Sequence, residues 1–284
     1  MIHDSRPRPL ILVANDDGYD APGIRHLTDA LRGLGRIVVV APDAPRSGAS
    51  CSFTAHSDVR LRRIEGPAYG DGLSAADGGE DVTVYACSGT PMDCIKVALH
   101  HLFARRRPDL IVSGINHGGN DSICVVYSGT MGAVLEGCIV GIPAIGFSLL
   151  EYNWNADFTA ARRVARHVAQ RVLAEGLPRG VVLNVNIPYR PDLRGIRVCR
   201  QADGYWHREY EDLQVSADEC TFRVAGEYAN REPEATDTDE YWLAKGYVTI
   251  VPTQVDLTAH ARLTHCRTLF DSEGIEEERE ETAQ

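Results

Sequence analysis

The sequence predicts an α/β fold: a Rossmann-like, doubly wound, mostly parallel sheet with a β-rich C-terminal appendage. Three observations carry this. Short β-branched runs alternate with helix-period segments up to about residue 190, as in successive βα units. The runs are apolar from end to end rather than alternating, as in strands buried on both faces. Beyond Pro188, strand-like runs follow one another without helices between them.

The elements follow in order. Met1–Pro9 is polar and proline-rich. Leu10–Ala14 (LILVA) reads as the first strand and runs into Asn15-Asp16-Asp17-Gly18. Asp-Gly is also a hairpin signal, but a hairpin needs a second strand at once. Instead Asp20-Ala21-Pro22-Gly23 follows, then Ile24, Leu27, Ala30, Leu31 and Leu34 at helical spacing. Asp20 as N-cap and Pro22 in the first turn predict a helix start. Arg36–Ala41 is the second strand and leads into a turn-rich loop, Pro42–Ser50. Leu61–Val82 is polar and glycine-rich and reads as an edge hairpin with a long surface insertion. Val84–Ser88 is a third strand. Thr90-Pro91-Met92-Asp93 resembles a capping box ahead of a helix over Cys94–Phe103. Arg105-Arg106-Arg107 suit that helix's C-terminus better than they suit a nucleic acid.

Leu110–Asn116 is the fourth strand, followed by the loop His117–Asp121 and the turn Tyr127-Ser128-Gly129-Thr130. A helix over Met131–Val140, a strand over Ala144–Leu149, a helix over Ala156–Ala174 and a strand over Val181–Ile187 complete the core. Gly195–Cys199, Thr221–Val224 and Gly246–Pro252 are the strands of the appendage, with a charged stretch over Arg231–Glu240. The organisation expected is a catalytic core over 1–190, an oligomerising extension over 191–270 and an acidic tail over 271–284.

Composition narrows the function. The formal net charge of −11 argues against a nucleic-acid polymer as partner, because phosphate backbones require clustered Lys and Arg. A small phosphate ester stays compatible, since a bound cation reverses the local sign. The eight cysteines form no CxxC pair, and several sit in apolar runs. No stretch reads as a signal-peptide core or a membrane span. A reduced, cytoplasmic protein with no membrane partner is the expectation.

Three expected loops follow strands and offer oxygen atoms: Asp16 and Asp17, then Ser47, then Asn116. Ligands of open α/β sheets bind beyond the carboxyl ends of the strands. Carboxylates, a hydroxyl and an amide carbonyl make a hard-oxygen set for Mg²⁺, Mn²⁺ or Ca²⁺, whereas zinc would more usually recruit His or Cys. His117, a lone histidine in a glycine-rich loop, reads as structural or exposed rather than as a ligand. Plain helix capping competes with a metal at Asp16 and Asp17. Ser128, Gly129 and Thr130 precede a helix and offer an anion site, with N-capping as the competing reading. Gly48, and Gly118 and Gly119 beside Asn120, allow close backbone approach to a ligand. Metal-assisted hydrolysis of a phosphate ester is the chemistry these features suggest together.

Asn15-Asp16-Asp17-Gly18 with Ala21-Pro22-Gly23-Ile24 resembles the opening motif of the SurE survival-protein family of nucleotidases. The likeness continues through Ala41-Pro42-Asp43, Arg46-Ser47-Gly48, Gly89-Thr90-Pro91 with Asp93-Cys94, and Ser113-Gly114-Ile115-Asn116 with Gly118 and Asn120. It ends with Tyr127-Ser128-Gly129-Thr130, Glu136-Gly137 and Val255–His260. The motifs stand in family order across nearly the whole chain. The resemblance implies one divalent metal ion per subunit, Mg or Mn, with Ca an alternative in crystals, held by Asp16, Asp17, Ser47 and Asn116. It implies hydrolysis of nucleoside 5′- or 3′-monophosphates, with short polyphosphate as a further substrate of some members. Homodimers or homotetramers that exchange C-terminal segments are implied too, with His260 near the exchange and so architectural.

The expected roles follow. Asp16 and Asp17 are catalytic, and Asp16 or Asp17 positions the water. Asn15, Gly48, Asn120, Ser128, Gly129 and Thr130 contact phosphate or substrate. The chain departs from the family in its long 66–81 stretch and its acidic tail. Three rivals stand beside this reading: a phosphatase with an aspartyl-phosphate intermediate, a non-catalytic nucleotide-binding regulator and a metal-dependent glycosyltransferase. Adjacent rather than alternating aspartates weaken the first, and the missing G-x-G-x-x-G after the first strand weakens a dinucleotide form of the second.

Overall fold

The computed structural model describes residues 7–65 and 82–271. The 66–81 insertion, the first six residues and all but the first residue of the acidic tail lie outside that range. In chain order the first strands are β1 (Leu10–Ala14), β2 (Arg36–Pro42), β3 (Leu61–Arg63), β4 (Val82–Cys87), β5 (Leu110–His117), β6 (Ala144–Leu150) and β7 (Val182–Pro188). Then come β8 (Ile196–Val198), β9 (Gly204–His207), β10 (Tyr210–Val215), β11 (Cys220–Val224), β12 (Glu227–Asn230) and β13 (Val248–Thr253). The helices are α1 (Pro22–Leu31), α2 (Pro91–Val97), α3 (Cys124–Tyr127), α4 (Gly129–Ile139), α5 (Thr159–Glu175), α6 (Asp239–Ala244) and α7 (Leu263–Phe270).

Among the described residues nine strands form one sheet in the order β3-β4-β2-β1-β5-β6-β7-β13-β8. The strands from β4 to β7 in that order all pair in parallel. The edge strand β3 and the β7–β13 pair are antiparallel. From β1 the chain steps outward to β2 and β4, then returns to β5 on the other side of β1. That reversal opens a crevice beyond the carboxyl ends of β1 and β5.

Burial explains the apolar runs. Ile11 and Val13 face α1 and α5, packing with Ile24, Leu27, Leu31, Val164 and Val168. Leu12 and Ala14 face α2 and α4, packing with Ile95, Met131 and Val134. Period-two alternation thus puts apolar residues on both faces of one strand. Each fully buried Leu or Ile contributes about 2 kcal/mol from area removed from water.

The expected capping box is present. Thr90 Oγ1 accepts from Asp93 N at 3.2 Å, and Asp93 Oδ2 accepts from Thr90 N at 2.9 Å. Asp93 also accepts from Thr54 Oγ1 at 2.6 Å, pinning the loop after β2. The helix expected to reach Phe103 passes into a wider π-helical turn over Ala98–Leu102. Asp20 is not the N-cap of α1. Ala21 holds that position with no side-chain cap, and the Asp20 carbonyl instead accepts from Arg25 Nε at 2.9 Å. Pro22 supplies the helical start here, its missing N–H costing nothing in a first turn.

Gly23 shows why this entry is so constrained. A Cβ there would lie 2.0 Å from the carbonyl oxygen of Ile115 on β5. Gly23→Ala is therefore expected to push α1 off the sheet and destabilise the fold by roughly 3 kcal/mol. The check is a urea midpoint that falls with an unchanged slope.

The segment after β7 both extends the sheet, through β8 and β13, and forms the two antiparallel pairs β10–β11 and β9–β12. Asp239, the first residue of α6, accepts from Ser122 N at 2.8 Å and Ala202 N at 2.9 Å. This carboxylate ties the segment to the loop after β5. The described residues from Val255 to Asp271 belong to a separate compact unit. Within it Asp256 accepts from Thr258 N and contacts His260 Nε2 at 2.7 Å, and α7 follows.

Candidate active site

Asp16 and Asp17 leave the carboxyl end of β1 and are 4% and 9% exposed. Asn15 shapes the turn that presents them. Its side chain donates to Gly18 O at 2.8 Å and accepts from Gly18 N at 3.3 Å. The Asp16 carboxylate sits on the amino end of α4, where Thr130 Oγ1 donates to Oδ1 at 2.5 Å and backbone N–H groups of Thr130 and Gly129 help hold it. Burial pushes the Asp16 carboxyl up against the pull of these donors. Asp17 accepts from His117 N at 3.4 Å. Burial first, and then the neighbouring Asp16 charge, push its carboxyl up to about 7.

Four loops meet at this mouth. The loop carrying Ser47 and Gly48 is pinned by Arg46 N donating to Asp16 O at 2.7 Å and by Ser50 N donating to Tyr127 O at 3.1 Å. Ser47 and Gly48 themselves are exposed. Asn116 closes β5, half-buried, with Nδ2 donating to Gly118 O at 2.9 Å, which leaves its carbonyl oxygen outside that contact. Ser128 caps α4 by accepting from Met131 N at 3.0 Å. The structure therefore brings Asp16, Asp17, Gly129 and Thr130 into direct contact or adjacency, with Asn116 at the carboxyl end of strand β5 and Ser47 on a flanking loop.

Asn120 lies deeper. Its N donates to Asn186 Oδ1 and its Nδ2 to Ser148 Oγ, both at 2.8 Å, while Asn184 Nδ2 donates to Asn120 O at 2.8 Å. Ser148, Asn184 and Asn186 escaped the sequence reading. The signal was present: two asparagines alternate within the apolar strand VLNVNI, and a buried amide requires partners. Their network holds the loop after β5 against β6 and β7. His117 stacks on Trp154 at 4.9 Å and meets Phe158 edge-on, and burial lowers its pKa. It is a packed ring, in keeping with a structural role.

Among the described residues no group of three or more His, Cys, Asp or Glu converges as a metal cluster. The set here differs in kind, because it mixes two carboxylates with an amide and a hydroxyl. No salt bridge among the described residues reaches Asp16 or Asp17. A buried carboxylate pair without a cation is costly, so the residues fit a hard divalent ion.

Residues 11–208 match the family model described as Survival protein SurE. The chain belongs to the SurE family. It is similar to the 5′-nucleotidase SurE of Phocaeicola vulgatus, 44% identical over 92% of this chain and 97% of that one. It is 47% identical to the 5′-nucleotidase SurE of Flavobacterium psychrophilum over 89% and 94% of the two chains. Its structure resembles the crystal structure of the SurE protein from Aquifex aeolicus, with a TM-score of 0.74, 34% identity and coverage of 92% and 99%. As a SurE-family chain it has the α/β core expected from its sequence.

Proposed function

We propose that this SurE-family chain is a metal-dependent phosphomonoesterase that hydrolyses nucleoside 5′-monophosphates to nucleoside and phosphate, with 3′-monophosphates and short polyphosphate as lesser substrates. The observation that carries this is the buried Asp16–Asp17 pair at the sheet crevice, in no ion pair among the described residues, in a chain so similar to named 5′-nucleotidases. Asp16, Asp17, Asn116 and Ser47 would hold one divalent ion, Mg or Mn. When bound, that ion supplies Lewis-acid polarisation of a phosphoryl oxygen and lowers the pKa of a water.

The chain's own residues do the rest. Thr130 and the first amides of α4 orient Asp16, and the His117 amide orients Asp17. Asp17 positions the attacking water in line with phosphorus. Thr130 and Asn15 hold Asp16 and the Gly18 turn in place, while the Ser128 hydroxyl, which accepts from Met131 N, keeps its proton to donate to a phosphate oxygen. Gly48, exposed in the turn it shares with the metal candidate Ser47 and with Arg46 beside it, is the part of the expected phosphate set that faces solvent.

Gly129 adjoins the reacting pair so closely that a Cβ would sit 2.9 Å from Asp16 Cβ and Oδ2. Gly129→Ala is expected to displace that carboxylate and lower kcat about a hundredfold, the cost of an error near 1 Å at a reacting group. A steady-state assay that separates kcat from KM provides the check.

We assign Val255 onward to contact with another copy of the chain, in a homodimer or homotetramer. The support is its separate compactness and the exposed Leu257, Leu269 and Phe270. The β-rich 191–270 segment is read as part of that assembly. Among the described residues no helix is long and apolar enough to cross a membrane. A reduced, cytoplasmic setting is the reading that best suits the buried free thiols Cys87, Cys94 and Cys138. The function is tested by phosphate release from a panel of 5′- and 3′-mononucleotides, sugar phosphates and tripolyphosphate. Release from the 5′-mononucleotides first is expected, and release from sugar phosphates alone would overturn the assignment.

A further inference from the structure

The oxygen groups at the crevice suit a cation and a phosphate, but a nucleotide also carries a flat, largely apolar base. The rim offers an aromatic ring one strand beyond Asn116. Strand β6 pairs in parallel with β5, with Asn116 opposite Ser148 and His117 opposite Leu149, so the two strands end at the same rim. Tyr152 stands two residues past the end of β6, as Asp16 stands two residues past the end of β1 on the other side of β5. Two strand spacings, about 10 Å, separate the lines of β1 and β6. Tyr152 is 79% exposed.

The ring is held in place. A Cβ at Gly118 would collide with Tyr152 Cε1 and Cζ, so the ring occupies the space that a side chain at 118 would need. The carbonyl of Gly118 accepts from Asn116 Nδ2 at 2.9 Å. One bend after β5 thus touches both the metal candidate Asn116 and the Tyr152 ring. The backbone of Tyr152 is fixed on both sides. Glu151 N donates to Leu149 O at 2.7 Å, Asn153 N donates to Glu151 Oε1 at 2.8 Å, and Trp154 stacks on the packed His117 ring at 4.9 Å. Single exposed aromatics are ordinary on a surface. This one is anchored beside a metal candidate with the rest of its ring in water, which is the preorganisation a stacking platform requires. We propose that, given the phosphomonoesterase reading, Tyr152 is the base-stacking residue of the substrate site, taking the nucleobase of a nucleoside monophosphate whose phosphate lies at Asp16, Asp17 and Asn116. Every base has a π-face, so a stacking ring favours nucleotides over sugar phosphates without selecting one base.

The test compares wild type, Tyr152→Ala and Tyr152→Phe in turnover of 5′-AMP and 5′-CMP, and in binding of ribose 5-phosphate and the non-hydrolysable methylenephosphonate analogue of 5′-AMP, all with Mn²⁺. Tyr152→Ala is expected to raise KM for both nucleotides and Kd for the analogue about tenfold, with kcat at saturation and ribose 5-phosphate binding unchanged. Tyr152→Phe keeps the ring and is expected to stay within about twofold of wild type. Tyr127→Ala, which removes another exposed aromatic near the site, is expected to leave the preference for the analogue over ribose 5-phosphate unchanged. Equal analogue affinity in wild type and Tyr152→Ala would overturn the proposal, whether or not phosphate is released. So would an equal loss for the analogue and ribose 5-phosphate, loss of the preference in Tyr127→Ala, or a change in oligomer mass without a change in KM. A wild type that binds the analogue through Tyr152 yet releases no phosphate would overturn the hydrolytic reading and keep the stacking site.

Discussion

Asp17→Asn is expected to lower mononucleotide turnover by about 10³-fold or more while the chain stays folded. The amide is nearly isosteric and retains an oxygen for the His117 N–H, so the loop keeps its shape. What is lost is the negative charge, and with it both the grip on a cation and the orientation of water. The stability consequence runs the other way. Burial and the adjacent Asp16 push the Asp17 carboxyl up to about 7, against about 4 in an unfolded chain. Between those values the metal-free folded state binds more protons than the unfolded state. The stabilising contribution is therefore fully present below about pH 4 and is lost as pH rises through about 7. Asp17→Asn removes that slope, so metal-free variant and wild type should diverge in urea midpoint on going from pH 5.5 to 8, with the variant the more stable at the alkaline end. Turnover within tenfold of wild type, with metal present, would sink the role given to Asp17.

Chelation is expected to have an effect of the same size by a different route. EDTA should reduce phosphate release by about 10³-fold, and Mn²⁺ or Mg²⁺ should restore it, because no basic side chain among the described residues stands in for the cation. Stability should follow. An ion at a hundredfold excess over its Kd stabilises the folded state by about 2.7 kcal/mol, roughly 5–10 °C in Tm for a chain of this size. Protons and metal compete for the same two carboxylates, so affinity for the ion should rise between pH 6 and 8. The Tm rise should vanish in Asp16→Asn and Asp17→Asn and survive in Gly23→Ala, whose defect lies in packing. Phosphate release indifferent to EDTA, or the same Tm rise in all three variants, would remove the metal from the account.

These two results would bear on the rivals. An aspartyl-phosphate enzyme would form a trappable phospho-enzyme, which Asp17 as a holder of water does not. A non-catalytic regulator would retain nucleotide without releasing phosphate.

Much of this protein was legible in its residues. LILVA, RIVVVA and LIVSGIN had to be central strands, because an apolar run without alternation has nowhere to go but between two layers. Thr90-Pro91-Met92-Asp93 specified its own helix start through bonds no longer than one turn. The loops carrying Asp16, Asp17, Ser47 and Asn116 could be placed at strand ends by the same reasoning. Other features could not be read. Asp20 looked like a cap, but the choice between Asp20 and Ala21 depends on where α1 meets the Ile115 carbonyl. Ser128 and Thr130 read as phosphate contacts or as helix caps. Whether a hydroxyl at a helix start serves a ligand, its own helix or a neighbouring carboxylate depends on what lies across from it.

Local order and burial patterns are encoded by neighbours along the chain, and the sequence by itself determined them: the strand–helix rhythm, the capping box and the acidic turn after β1. Tertiary structure alone decided which groups face one another across 114 residues, as Thr130 faces Asp16. It decided that Asn184 and Asn186 brace the loop holding Asn120, and that the Tyr152 ring lies against Gly118. The physical reason is that hydrogen bonding and charge act at a few ångströms through space. Separation along the chain carries no information about those distances until the sheet order is fixed.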